Sequence, residues 1–170
     1  MGINPAAQAA QLFAAHYGAL VTGGAKTLPA STTGHIFTVA GGRVVVTSLT
    51  GVVSTVIQTQ ATTLSVGNTP TGGSASTASF CATLDLTGKV AGVSLLVPQA
   101  KATALLSSGA DGTFLWNTTS GGQGVPITSG GLLLVPAGTI DVTTVATSTG
   151  AITWSVSYFP YDTGATITAL

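Results

Sequence analysis

The chain reads as an all-β protein: a single antiparallel β-sandwich, jelly-roll-like, with a short N-terminal helical or extended arm. Three observations predict this. From residue 34 onward, apolar and polar residues alternate with period two in runs rich in Val, Ile and Thr, the pattern of half-buried strands. These runs recur about every ten residues with Gly-rich turns between them, as in sandwiches and jelly rolls. No segment repeats at a fixed period, which disfavours solenoids and propellers. The 170 residues fit one domain, divided into an arm and linker over 1–33 and a sandwich over 34–170.

The arm comes first. Asn4 and Pro5 form an N-cap followed by a residue suited to the first helical position. Ala-rich residues 6–15 continue as an uncharged helix former. Leu12, Phe13, His16, Tyr17 and Leu20 fall on one stripe of that helix, limited by Gly18 and Gly23-Gly24. A short helix with such a stripe is unstable alone in water and must dock, on its own domain or on a neighbour.

The strands follow. Ile36 to Val39 leads through the tight turn Ala40-Gly41-Gly42 into Arg43 to Leu49. Gly51 marks a bulge or bend, and Val52 to Thr59 continues the run. Thr62 to Val66 is a further strand before a flexible loop, Gly67 to Ser76. Ser79 to Leu86 and Val90 to Val97 read as a hairpin across Thr87-Gly88-Lys89, and Lys101 to Ser108 as a short helix. Gly112 to Trp116, Leu132 to Val135, Gly138 to Thr147 and Ala151 to Tyr158 complete the series. The last two are read as partners joined by Ser148-Thr149-Gly150. Ile140, Val142, Ile152, Trp154, Val156 and Tyr158 point inward; Asp141, Thr143, Thr153, Ser155 and Ser157 point outward.

One run is apolar on both faces. Val45, Leu49, Val53 and Ile57 occupy odd positions, while Val44, Val46, Val52 and Val56 occupy even ones. An antiparallel strand with one wet face alternates cleanly, so this strand is either covered twice or buried by another chain.

Composition narrows the function. Charged residues are 5% of the chain, with four Lys+Arg against four Asp and no net charge. An ordinary domain carries about 25%. Thirty Thr, 15 Ser and 23 Gly take their place. No basic stripe exists to displace counterions from nucleic acid. No apolar run approaches the ~18 residues that cross a bilayer, and no Lys or Arg precedes Lys26 to open a signal peptide. A soluble protein outside the secretory route is expected. A folded monomer of this mass exposes roughly 7,600 Å², and eight charged side chains cover little of it. Association with other subunits is therefore expected.

No catalytic, cofactor or metal constellation emerges. The titratable set is His16, His35, Asp85, Asp111, Asp141 and Asp162, without a Gly-x-Ser-x-Gly elbow. The Gly-rich stretches match neither a dinucleotide fingerprint nor a P-loop. The single cysteine, Cys81, lies in a strand pattern and reads as a small buried hydrophobe. Trp116 and Asn117, at the end of a strand entering a polar loop, are candidates for surface recognition, because an aromatic at a strand end can stack on a sugar or a partner ring. Trp154 alternates as core.

Several stretches together carry a resemblance. They are Gly34-His35-Ile36-Phe37-Thr38-Val39, Gly42-Arg43-Val44-Val45-Val46, Val56-Ile57-Gln58-Thr59-Gln60-Ala61-Thr62 and Cys81-Ala82-Thr83-Leu84-Asp85. Val135-Pro136-Ala137-Gly138-Thr139-Ile140, Thr149-Gly150-Ala151-Ile152-Thr153-Trp154 and Tyr158-Phe159-Pro160-Tyr161-Asp162 continue it. Over about residues 34–165 the chain resembles small β-rich virion proteins of tailed bacteriophages, usually encoded among head genes. The resemblance implies a non-enzymatic capsid decoration or cement subunit on the virion surface, partnered by the major capsid protein, and carries no catalytic residue. Added to the composition, it leads us to expect a homo-oligomer, with a trimer favoured. The arm lies outside the resemblance; Leu12, Phe13, His16, Tyr17 and Leu20 are its expected partner contacts. A tail or fibre component and a carbohydrate-binding adhesion module are the competing readings.

Overall fold

The structure, a computed structural model, describes residues 18–72, 78–98, 101–108 and 133–170. These form twelve strands: β1 (Ala19–Thr27), β2 (Thr33–Ala40), β3 (Val44–Thr55), β4 (Thr63–Pro70), β5 (Ala78–Ser79), β6 (Leu84–Asp85), β7 (Ser94–Leu96), β8 (Leu106–Ser107), β9 (Leu133–Val135), β10 (Gly138–Thr144), β11 (Ala151–Pro160) and β12 (Thr166–Ala169). They make two antiparallel sheets packed face to face. One runs β1-β11-β3-β7-β8 with β9 also on β3; the other runs β12-β2-β10-β4-β5 with β6 also on β4.

The pairing is nested. β1 pairs with β11, β2 with β10, β3 with β7 and β4 with β5. β11 then pairs β3, and β10 pairs β4. This is an eight-stranded antiparallel ribbon, folded back on itself and rolled into two sheets: a jelly roll. Between the sheets lie Trp154, Phe37, Leu49, Ile140, Ile152, Val156, Leu64 and Val66, all buried.

The two-faced apolar run has a local explanation. Along β3, Val46 sits opposite Tyr158 and Ser48 opposite Ser157, so Thr47 is an extra residue, a β-bulge. Its hydroxyl donates to the Ser157 carbonyl. The bulge reverses the parity of the strand. Val44 and Val46 before it, and Leu49 and Val53 after it, all reach the same core. Val52 and Val56 stay exposed and Val45 half-buried on the other side.

Gly51 is not itself a bulge or bend. It faces Trp154 across the β3–β11 ladder, and a β-carbon there would stand 2.9 Å from the Trp154 ring and from Ile152 Cγ2. A strand glycine here marks a close approach. The turn between β2 and β3 needs both its glycines, since Gly41 and Gly42 have φ of 75° and 138°.

Four other sequence expectations change. The 79–86 and 90–97 segments do not form a hairpin: β5 and β6 pair β4 in one sheet, whereas β7 pairs β3 in the other. Residues 101–108 contain no helix; Leu106 and Ser107 pair with Leu96 and Leu95. β10 and β11 lie in opposite sheets rather than pairing, and the crossing segment between them is held by Leu28 N–H to the Gly150 carbonyl and Gln58 N–H to the Thr149 carbonyl. The strand expected to stop at Val66 continues to Pro70, with Gly67 and Asn68 in register with Asp141 and Ile140.

The boundary of the arm shifts as well. Residues 19–27, expected within arm and linker, form β1, the edge strand on β11, with one extra residue between Thr22 and Ala25. Gly23-Gly24 thus marks a bulge within a strand rather than the end of a helix, because the open edge of β11 supplies backbone partners that an isolated helix lacks.

Candidate functional site

Of the expected partner contacts, Leu20 is described; Leu12, Phe13, His16 and Tyr17, like Trp116 and Asn117, lie outside the described residues. Leu20 stands on a strand rather than a helix. It pairs with Ser157 on the outer face of its sheet and is 57% exposed. Its neighbours on that face follow from the register. Phe159 pairs with Val45, and Val45 with Leu134. Phe159, Val45 and Leu134 therefore form an apolar row across three strands, and Leu20, opposite Ser157, extends it diagonally onto β1. Leu134 is exposed, and Phe159 and Val45 are half-buried. Further along the same face the rows turn hydroxylic: Thr22, Ser155 and Thr50 lie side by side, with the Thr22 and Ser155 hydroxyls 3.0 Å apart. No charged residue stands in these rows.

The outer face of the opposite sheet holds a buried carboxylate. Asp141 points away from the sandwich interior, as its alternation predicts, yet its side chain is fully buried. His35 Nδ1 lies 2.6 Å from Asp141 Oδ1, and the Thr69 hydroxyl donates to Oδ2 at 2.5 Å. Three adjacent strands, β2, β10 and β4, supply one residue each. Ile36 is the extra residue of a bulge opposite Ile140–Asp141, and it sets His35 beside Asp141. Opposite Asp141 on the other side stands Gly67, which adds no side chain to the site. A carboxylate only accepts, so the ring donates from Nδ1 and turns Nε2 outward. The His35 side chain is 55% exposed. Among the described residues no serine or cysteine is hydrogen-bonded to the His35 ring.

The third cluster sits at the β2–β3 turn. Arg43 donates to Asp162 through Nε at 2.9 Å and Nη2 at 2.8 Å, and its backbone N–H donates to the same carboxylate at 2.8 Å. These bonds hold the Asp162 carboxyl well below the usual range, at about 2, and push the Arg43 guanidinium higher still. The guanidinium also stacks over Tyr161, 4.6 Å from the ring centroid. The Tyr161 and Asp162 N–H groups both donate to the Arg43 carbonyl.

Two other charges are locally occupied. Asp85 accepts from the Thr87 backbone and hydroxyl, which lowers its pKa, and Lys89 reaches the Ser107 hydroxyl. Cys81 is buried, and desolvation raises its thiol pKa. Among the described residues no three His, Cys, Asp or Glu side chains converge as metal ligands, and no helix is long and apolar enough to cross a membrane.

Sequence reasoning had His35, Asp141 and Asp162 in its titratable set but did not join any of them to a partner. The local signals are faint: a polar residue within an apolar alternation for Asp141, and an Arg directly after a Gly-Gly turn for Arg43. Comparison with known protein families, curated proteins and solved structures finds no match. What the described residues define is a jelly-roll sandwich with one outer face bearing an apolar strip and rows of hydroxyls, and two ordered polar clusters.

Proposed function

We propose that this chain is a non-enzymatic virion structural protein, a capsid decoration subunit that binds the outer surface of the major capsid lattice and stabilises it. The observation that carries the reading is the outer face of the β1-β11-β3 sheet. There the apolar strip Leu20–Phe159–Val45–Leu134 borders rows of Ser and Thr without a charge. Such a face binds a neighbouring protein by burial and neutral hydrogen bonds, and it attracts neither nucleic acid nor stray ions. Support by analogy comes from the jelly roll itself, an architecture used by viral capsid proteins and lectins. The resemblance of residues 34–165 to phage head proteins points the same way.

The test uses purified particles from the phage that encodes the chain, stripped of it and then incubated with the recombinant protein. Saturable co-sedimentation with the heads, and gold label on the capsid, is the expected result. Label confined to the tail would replace the reading with a tail or fibre component, and absence from particles would overturn both. Deleting residues 1–17 leaves β1 whole, so that variant keeps the fold and loses head binding if the arm makes the contact. Leu20→Lys weakens binding if the strip does.

A further inference from the structure

We infer that the Arg43–Tyr161–Asp162 cluster is a carbohydrate-binding platform, taking the face of a single pyranose ring at the end of the sandwich formed by the β2–β3 turn. This does not depend on where the chain sits in a particle.

The argument begins with an aromatic ring that is exposed yet held. Tyr161 is 58% exposed, far more than Tyr158 in the core. It is nonetheless fixed at both ends: its N–H donates to the Arg43 carbonyl, and the Arg43 guanidinium lies against one ring face. The guanidinium is itself fixed by two side-chain hydrogen bonds to Asp162. A ring ordered before the ligand arrives loses little freedom on binding. With over half of its surface exposed, the ring is left accessible, and the residues that follow the cluster in sequence, Thr163 and Gly164, are small.

The polar groups beside the ring complete the site. Of the five guanidinium N–H donors, two bind Asp162, leaving three to meet ligand hydroxyls. Asp162 keeps free lone pairs on a carboxylate that stays ionised to about pH 2. An accessible aromatic ring with fixed donors and acceptors at its edge matches a sugar ring, whose C–H face is apolar and whose rim of hydroxyls both donates and accepts. Half-buried Phe159 and Val45 lie two residues along the same paired strands from Tyr161 and Arg43, so a protein surface is the competing occupant that the variants below distinguish.

The fluorescently labelled full chain is applied to an array of mono- and oligosaccharides, and the strongest glycan is then titrated by calorimetry. A specific signal is expected, weakened at least about tenfold by Tyr161→Ala and kept within about threefold by Tyr161→Phe, which retains the ring. Thermal unfolding of each variant separates lost binding from lost fold. If Tyr161→Ala does not fold, Tyr161→Leu, which removes the flat ring while keeping an apolar side chain, takes its place and has to weaken binding likewise. No glycan above background, or equal binding by the parent and the variants that lack the ring, overturns the inference. A Tyr161→Ala variant that binds glycans normally but fails to co-sediment with heads overturns it too, and assigns the ring to a protein contact.

Discussion

Gly51 and Asp141 show how far a single residue can be read. The glycine stands out in an apolar run, but its cause is the Trp154 ring, more than 100 positions away in the chain. Gly51→Val drives a branched side chain into that ring within a close-packed interior, and a loss of about 2 kcal/mol follows, read from the urea midpoint. A midpoint equal to the parent's would mean that the ring moves aside. Asp141 was legible as outward-facing and illegible as buried, because alternation reports a face and not what covers it. Burying a carboxylate requires partners, and His35 and Thr69 supply them. His35→Ala and Asp141→Ala therefore couple by at least about 1 kcal/mol in a double-mutant cycle of stability. Additive losses would show that the pair is incidental.

Two elements are set by local irregularities. The bulge at Thr47 brings Val44 and Val46 to the same side as Leu49 and Val53. Deleting Thr47 restores strict alternation and turns one pair outward, so the deletion variant aggregates or loses amide protection along β3. Thr47→Ser keeps the extra residue and its hydroxyl bond, and stays folded. Period two was readable from the sequence, whereas the phase change was not, since a bulge leaves no residue type behind it. The turn that joins β2 to β3 is pinned by Arg43 and Asp162. Because the folded chain lowers the Asp162 pKa to about 2 from a usual value of 3.8, its stabilisation is complete above about pH 4 and is lost as the pH falls toward 2. Asp85, also lowered, contributes in the same acid range. Asp162→Asn has a reduced melting temperature at pH 6, and its curve converges on the parent's near pH 2. A constant offset across that range would remove the ion pair from the account.

At the scale of the whole molecule, strands were legible and their partners were not. A jelly roll nests its pairs, so β1 meets β11 and β2 meets β10 across most of the chain. Neighbours in sequence, such as β10 and β11, end in different sheets. Alternation cannot choose between adjacent and nested pairing, because both satisfy it equally; only the competition among edges in three dimensions decides. The same distinction bears on association. Of the apolar run that begins β3, Val44, Val46, Leu49, Val53 and Ile57 are covered by the molecule's own core, while Val52 and Val56 stay exposed and Val45 half-buried. On the same outer face, exposed Leu20 and Leu134 flank half-buried Phe159 and Val45. If the homo-oligomer expected from the sequence forms, this strip is where subunits meet, since among the described residues it joins apolar side chains on adjacent strands of the outer face. Light scattering after size exclusion then gives a clean multiple of 16.6 kDa, and Leu20→Lys with Leu134→Lys reduces it to the single-chain mass while the melting temperature holds. Two like charges set into a buried apolar seam cost far more than they do facing water, whereas on a free face they cost almost nothing. A parent that already runs at the single-chain mass would leave the strip open for the capsid lattice. An oligomer indifferent to both lysines would place its interface on another surface.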